Sequence, residues 1–240
     1  GTGAIAVSKI PFDNAEIKEG FSKIPMWVAD MNYATAPSVI EAIQNRLAHP
    51  VFGYFDIKDA YSESIIEWQK TRNGVTDIPK EAIDYENGVL GGVSSVLQAF
   101  TAPGEAILLH SPAYIGFIGT ITNMGRKIVY SPLKKDEQGV WRMDYEDMDK
   151  KLKENHIHLA IFCSPHNPSG RVWEREESEA AMEVYRKNDC IVISDEIWSD
   201  LTLGNRQHIP TQTVSEDAKT RTIAMYAPTK TFNLAGLIGS

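Results

Sequence analysis

His158-Leu-Ala-Ile-Phe-Cys163 and Cys190-Ile-Val-Ile193 flank residues 174–188, where Ser178, Ala181, Met182 and Tyr185 fall on one helical face. Each flanking run is apolar without polar alternation, which predicts strands buried on both sides. A helical crossover between two such strands makes a parallel pair. Outward from this unit the pattern repeats. Strand-like runs occur at Ala106-Ile-Leu-Leu-His110, Lys127-Ile-Val-Tyr130 and Thr222-Ile-Ala-Met-Tyr226. Tyr145, Met148 and Leu152 form a helical stripe behind Asp144 as cap; Val39, Ile40, Ile43 and Leu47 form another, and Tyr61, Ile65 and Trp68 a third. Alternating strands and helices predict an α/β three-layer sandwich, a mostly parallel sheet covered on both faces. Residues 1–35 are less periodic and read as an arm that packs elsewhere, leaving 36–240 as the main domain; there is no internal repeat, low-complexity tract or clear linker.

Composition narrows the function classes. The 240 residues are 42% hydrophobic and 23% charged, enough apolar chain for a substantial core. A net charge of -8 without a Lys/Arg block argues against nucleic acid or an anionic membrane as the main partner. No apolar run approaches the roughly 18 residues needed to span a bilayer, and Gly1-Thr-Gly-Ala is no secretory signal, so the expected location is the cytoplasm. Cys163 and Cys190 read as small buried strand residues rather than a disulfide framework. Cys163 and His166, and His156 and His158, have ligand-like spacings, but no second clustered pair completes a metal site, and none is expected.

In such a sheet, ligands bind beyond the carboxyl ends of the strands. Four residues follow separate expected strands: Tyr114 in Ser111-Pro-Ala-Tyr114, Asn167 in Ser164-Pro-His-Asn-Pro-Ser-Gly170, Asp195 in Ile193-Ser-Asp-Glu-Ile197, and Lys230 in Ala227-Pro-Thr-Lys-Thr-Phe232. Singly they are a rim tyrosine, a turn asparagine, a capping aspartate and a solvated lysine. Jointly they serve different atoms of one ring. A lysine amine can hold an aldehyde as a Schiff base, an aspartate can keep a pyridine nitrogen protonated, an asparagine can donate to a ring hydroxyl, and a tyrosine can stack on the ring. That combination describes a pyridoxal 5'-phosphate site. Gly88-Val-Leu-Gly-Gly92-Val-Ser-Ser95, ahead of the apolar run Val96 to Phe100, suits a phosphate at a helix start, although a plain strand-to-helix turn would read the same way.

The strings Asp30-Met-Asn-Tyr-Ala-Thr-Ala-Pro37, Val51-Phe-Gly-Tyr54, Ser111-Pro-Ala-Tyr114, Cys163-Ser-Pro-His-Asn-Pro-Ser-Gly-Arg-Val-Trp173, Ser194-Asp-Glu-Ile197 and Thr229-Lys-Thr-Phe-Asn233 resemble the fold-type I pyridoxal-phosphate enzymes of the class I/II aminotransferase superfamily. Within them the sequence is most similar to the cystathionine β-lyase-like branch that includes the bacterial maltose-regulon modulator. The resemblance implies that Lys230 carries the cofactor and Asp195 partners its ring nitrogen, with Asn167 on the ring hydroxyl and Tyr114 stacked. It also implies that Gly92 and Val93 cradle the phosphate by backbone, helped by Thr229, and that Ala29 and Asp30 lie toward the substrate. Tyr54 matches a tyrosine that reaches the phosphate of a neighbouring subunit, which implies a homodimer.

Two departures stand out. Trp198 occupies a position that usually carries histidine or tyrosine. The sequence also stops soon after the lysine, so the small C-terminal domain that clamps the substrate carboxylate is expected to be missing and residues 36–240 to be truncated at their end. The implied activity is β-elimination on cystathionine- or cysteine-type amino acids, giving pyruvate, ammonia and a thiol. The alternatives are an L-amino-acid aminotransferase using a keto-acid acceptor, and a cofactor-binding regulator or inactive fragment.

Overall fold

The computed structural model describes residues 3–11 and 16–240. Helices α1 (Ile5–Ser8), α2 (Pro37–Leu47), α3 (Asp59–Asn73) and α4 (Val89–Phe100) precede the first strand. Then come β1 (Ala106–Ser111), α5 (Ile115–Asn123), β2 (Lys127–Pro132), β3 (Lys134–Lys135), β4 (Trp141–Arg142), α6 (Tyr145–Glu154), β5 (Leu159–Cys163), α7 (Arg175–Lys187), β6 (Ile191–Asp195), α8 (Glu216–Arg221), β7 (Thr222–Met225) and α9 (Pro228–Thr231). The main sheet has the order β2-β1-β5-β6-β7, and every pair in it is parallel.

Successive strand residues point to opposite faces, so one sheet divides two cores. Leu108, Ala160, Phe162 and Val192 pack with Met148 and Leu152 of α6 and with Ala181, Met182 and Tyr185 of α7. Ile107, Leu109, Leu159, Ile161 and Ile193 face the other way, onto Val93, Val96 and Leu97 of α4 and Phe117 and Ile121 of α5. Asp144 caps α6 by accepting from the Asp147 N–H at 3.1 Å. Glu174 and Glu177 close a reciprocal capping box on α7.

Three features depart from the sequence reading. α4 begins at Val89 rather than Val96, because Gly88 (φ 77°) makes the left-handed break before it and the following glycines lie inside the helix. β3 and β4 form a short antiparallel pair too brief to show as a pattern, its turn fixed by Asp136 accepting from the N–H groups of Gln138 and Val140. The α2 stripe exists but lacks cover: among the described residues none in α2 is buried, and Ile40, Ile43 and Leu47 stay exposed. Part of the expected arm, residues 1–2 and 12–15, lies outside the described residues.

Candidate active site

Sheet order decides the geometry. β1, β5, β6 and β7 are consecutive neighbours, and Tyr114, Asn167, Asp195 and Lys230 each sit at or just beyond the carboxyl end of one of them. Four residues scattered over more than a hundred positions therefore share one sheet edge.

At β1, Tyr114 is the N-terminal flank of α5 and its ring stands edge-on to Phe117, centroids 5.3 Å apart. Gly116 makes room for it: a Cβ there would fall 2.3 Å from Tyr114 Cε1. Tyr114, Cys163, His166 and Asn167 line one cleft. His166 Nδ1 pairs with the Ser169 hydroxyl at 2.7 Å, and burial pushes this imidazole down to about 4, so it is neutral at physiological pH. Burial drives the Cys163 thiol well up, which makes it an inert wall of the cleft.

Asp195 closes β6 with only 5% of its surface exposed. Burial, reinforced by the negative Glu196 alongside, pushes its carboxyl up to about 7, against the opposing pull of the Ile197 N–H and of Lys230. The Ile197 N–H donates to Oδ1 at 3.1 Å. Such a carboxyl gains most from a cationic N–H donor placed opposite it. Lys230 sits in α9, with Pro228 at the helix start. Its Nζ donates to the Ala29 carbonyl at 3.3 Å and lies 6.0 Å from the centroid of the Trp198 ring. Ala29 is thus brought to the lysine across 201 positions, and Asp30, next in line, is exposed.

The stretch expected to cradle a phosphate is part of α4. Gly92 and Val93 lie in the second turn of α4, and the Gly92 N–H already donates to the Gly88 carbonyl at 3.1 Å. The groups without an intrahelical acceptor are those of the first turn, at Val89, Leu90 and Gly91. Gly92 instead permits close packing on β7, since a Cβ there would meet Met225 Sδ at 2.8 Å. Thr229 is half-buried one residue before Lys230. Tyr54 is fully exposed in the single chain. The segment leading to it is braced by Arg46, which donates to the carbonyls of His49 (2.6 Å) and Val51 (2.9 Å) and lies over the Phe52 ring.

Two further residues were not singled out by sequence pattern. Glu196 is wholly buried and accepts from Ser194 Oγ (2.8 Å), the Thr211 N–H (3.0 Å) and the Tyr226 hydroxyl, with His208 Nε2 at 2.5 Å. Burial alone would raise its carboxyl, but His208 and these donors outweigh it and hold the group below the usual range. Asn233, at φ 55°, exchanges hydrogen bonds with the Met31 backbone and donates to the Tyr33 carbonyl at 2.6 Å. That ties the early chain to the lysine turn.

Residues 22–239 match the family described as aminotransferase class I and II. Cystathionine beta-lyase PatB of Bacillus subtilis (strain 168) is 37% identical over 217 residues, 90% of this chain and 56% of that protein. Protein MalY of Escherichia coli (strain K12) is 33% identical over 218 residues, 90% of this chain and 55% of that protein. The crystal structure of cystalysin from Treponema denticola, which contains a pyridoxal 5'-phosphate cofactor, matches with a TM-score of 0.85 and 34% identity, covering 90% of this chain and 55% of that one. The chain spans about half the length of the relatives it matches. By the family match across residues 22–239 and by these relatives, the chain belongs to the class I and II aminotransferase family, whose members depend on pyridoxal phosphate.

Proposed function

We propose that the protein is a pyridoxal-phosphate-dependent carbon-sulfur β-lyase acting on cystathionine- or cysteine-type amino acids. The observation that carries the reading is the row Tyr114, Asn167, Asp195, Lys230 along four adjacent strand ends. The residues fit the cofactor: a buried carboxyl with raised proton affinity suits a ring N–H, and the first turn of α4 offers N–H groups to a phosphate. When bound, the cofactor supplies an electron sink for charge developing at the substrate α-carbon.

The chain's own groups divide the remaining work. Lys230 Nζ is the amine that would hold the cofactor's aldehyde and, once free, would serve as general base for the substrate α-proton. Asp195 would keep a proton on the ring nitrogen, Asn167 would donate to the ring oxygen, and the Tyr114 ring would stack on the cofactor. The N–H groups of Val89, Leu90 and Gly91, with the Thr229 hydroxyl, hold the phosphate, and Tyr54 of a second copy completes that shell in a homodimer. Ala29 and Asp30 border the substrate side, and residues 36–240 form the cofactor-binding domain. We place the enzyme in the cytoplasm; among the described residues no helix is long and apolar enough to cross a membrane.

PatB's name supports the lyase outcome, whereas the family description supports transamination as a second reading, and the same anchors serve both. Incubation with cystathionine and pyridoxal phosphate tests the choice. Pyruvate released without any keto acid supports the lyase. Product formation that requires a keto-acid acceptor makes the protein an aminotransferase.

A further inference from the structure

α9 carries Lys230, yet among the described residues none of its own is buried. Core packing therefore does not fix its orientation, and hydrogen bonds must. Some come from the early chain: Thr35 Oγ1 donates to the Phe232 carbonyl at 2.7 Å, and Asn233 grips residues 31–33. One comes from the sheet scaffold itself. Thr231 Oγ1, next to the lysine, donates to Asp200 Oδ2 at 2.9 Å, and the same oxygen accepts from Trp68 Nε1 of α3 at 3.3 Å. Trp68 in turn stands edge-on to Phe232, centroids 5.4 Å apart, with the Arg72 guanidinium over its ring. Asp200 lies in the turn that leaves β6, where the Ser199 N–H donates to Glu196 and the Leu201 N–H to Trp198.

We propose that Asp200 is a positioning residue for Lys230, its single carboxylate oxygen joining the turn after Asp195, helix α3 and the turn that carries the lysine. This rests on the cofactor reading above and adds to it what aims the amine. Both residues that follow Lys230 are held by this unit, Thr231 by the carboxylate and Phe232 by the indole. Asp195 and Lys230 serve opposite parts of one ring, so a fixed link between their two turns sets their separation before the ligand arrives, which is preorganisation in the sense that it removes an ordering cost from binding.

The test compares the chain with Asp200→Asn, Asp200→Ala and Thr231→Val by two readouts. One is amide hydrogen exchange of the unloaded chain at Phe232, Asn233 and Leu234, whose N–H groups close the lysine turn. The other is the visible absorbance band, and its pH midpoint, on titration with pyridoxal 5'-phosphate. Loss of a hydrogen bond to a charged group predicts that Asp200→Ala weakens cofactor binding about ten- to a hundredfold, with faster exchange at the three amides and a shifted midpoint. Thr231→Val, which leaves the Trp68 bond intact, moves the same readouts less. Asp200→Asn keeps an oxygen acceptor and stays within about threefold of the parent chain. Unchanged exchange and titration in both Asp200→Ala and Thr231→Val would overturn the proposal, as would an Asn variant impaired as badly as Ala. Should the parent chain give no visible band, the cofactor reading falls and the positioning role with it; the exchange data distinguish this from failure of the clamp alone.

Discussion

Asp195 makes the unloaded chain sensitive to pH. Its carboxyl titrates near 7 in the folded state against 3.8 for the ordinary group, so between those values the folded chain keeps a proton that the unfolded chain has released. Stability conferred by that proton falls as pH rises through this window, and above about 7 the full penalty of a buried charge applies. Asp195→Asn should abolish this dependence, with a differential on the order of a few kcal/mol between about pH 5 and about pH 8, measured by urea unfolding of both chains. Identical pH responses would rule out the buried-carboxyl account. Bound cofactor should flatten the parent curve, because a ring N–H cation lowers the carboxyl's proton affinity. Lys230→Ala should lose the visible band and borohydride labelling of the 227–232 peptide; labelling at full stoichiometry would remove Lys230 from its role. These four edge residues were legible because each follows a long apolar run that fixes its strand. Asp200 and Asn233 were not, because their partners lie 31 to 202 positions away. Glu196 was not, because its partners His208, Thr211 and Tyr226 sit in a loop, a short turn and a strand end that no periodic pattern links to it.

At the scale of elements, strands buried on both faces announce themselves by uninterrupted apolar runs, and all five expected strands are present. The cap of α6 was legible for a similar reason, since Asp144 acts within three residues, whereas the Glu174/Glu177 capping box of α7 was not read from the sequence. The start of α4 was not, because two glycines inside a helix look like a turn until Met225 is seen against Gly92. With the helix beginning at Val89, the N–H groups proposed to hold a phosphate are those of its first turn. Pyridoxal, which lacks the phosphate, should accordingly bind at least about tenfold more weakly than pyridoxal 5'-phosphate in equilibrium titrations, by loss of two or more hydrogen bonds to a charged group. Equal affinities would separate α4 from the phosphate. The sequence predicted the α2 stripe but not its exposure, because a helical period specifies an apolar face and not the surface that covers it.

The whole molecule leaves Val51, Phe52, Tyr54, Phe55 and Ile57 exposed in one stretch, as suits a segment that reaches a second copy. If Tyr54 completes the neighbour's phosphate shell, mixing Lys230→Ala chains with Tyr54→Ala chains should restore one intact site per mixed dimer, read as recovered pyruvate release when each variant alone is impaired. No recovery in demonstrably mixed dimers would confine each site to one chain.

The stitching of residues 29–35 to 230–233 carries a further consequence, for synthesis on the ribosome. The parallel strands β1, β2, β5 and β6 can pair as they emerge, but the carbonyl of Ala29 and the backbone of Met31 and Tyr33 have no partners until Lys230 and Asn233 leave the exit tunnel. At about 5–20 residues per second that is a wait on the order of 10–40 s. Through that interval the backbone of residues 29–33 lacks the lysine turn it docks on, so the segment stays open to a holding chaperone until the chain is nearly all made.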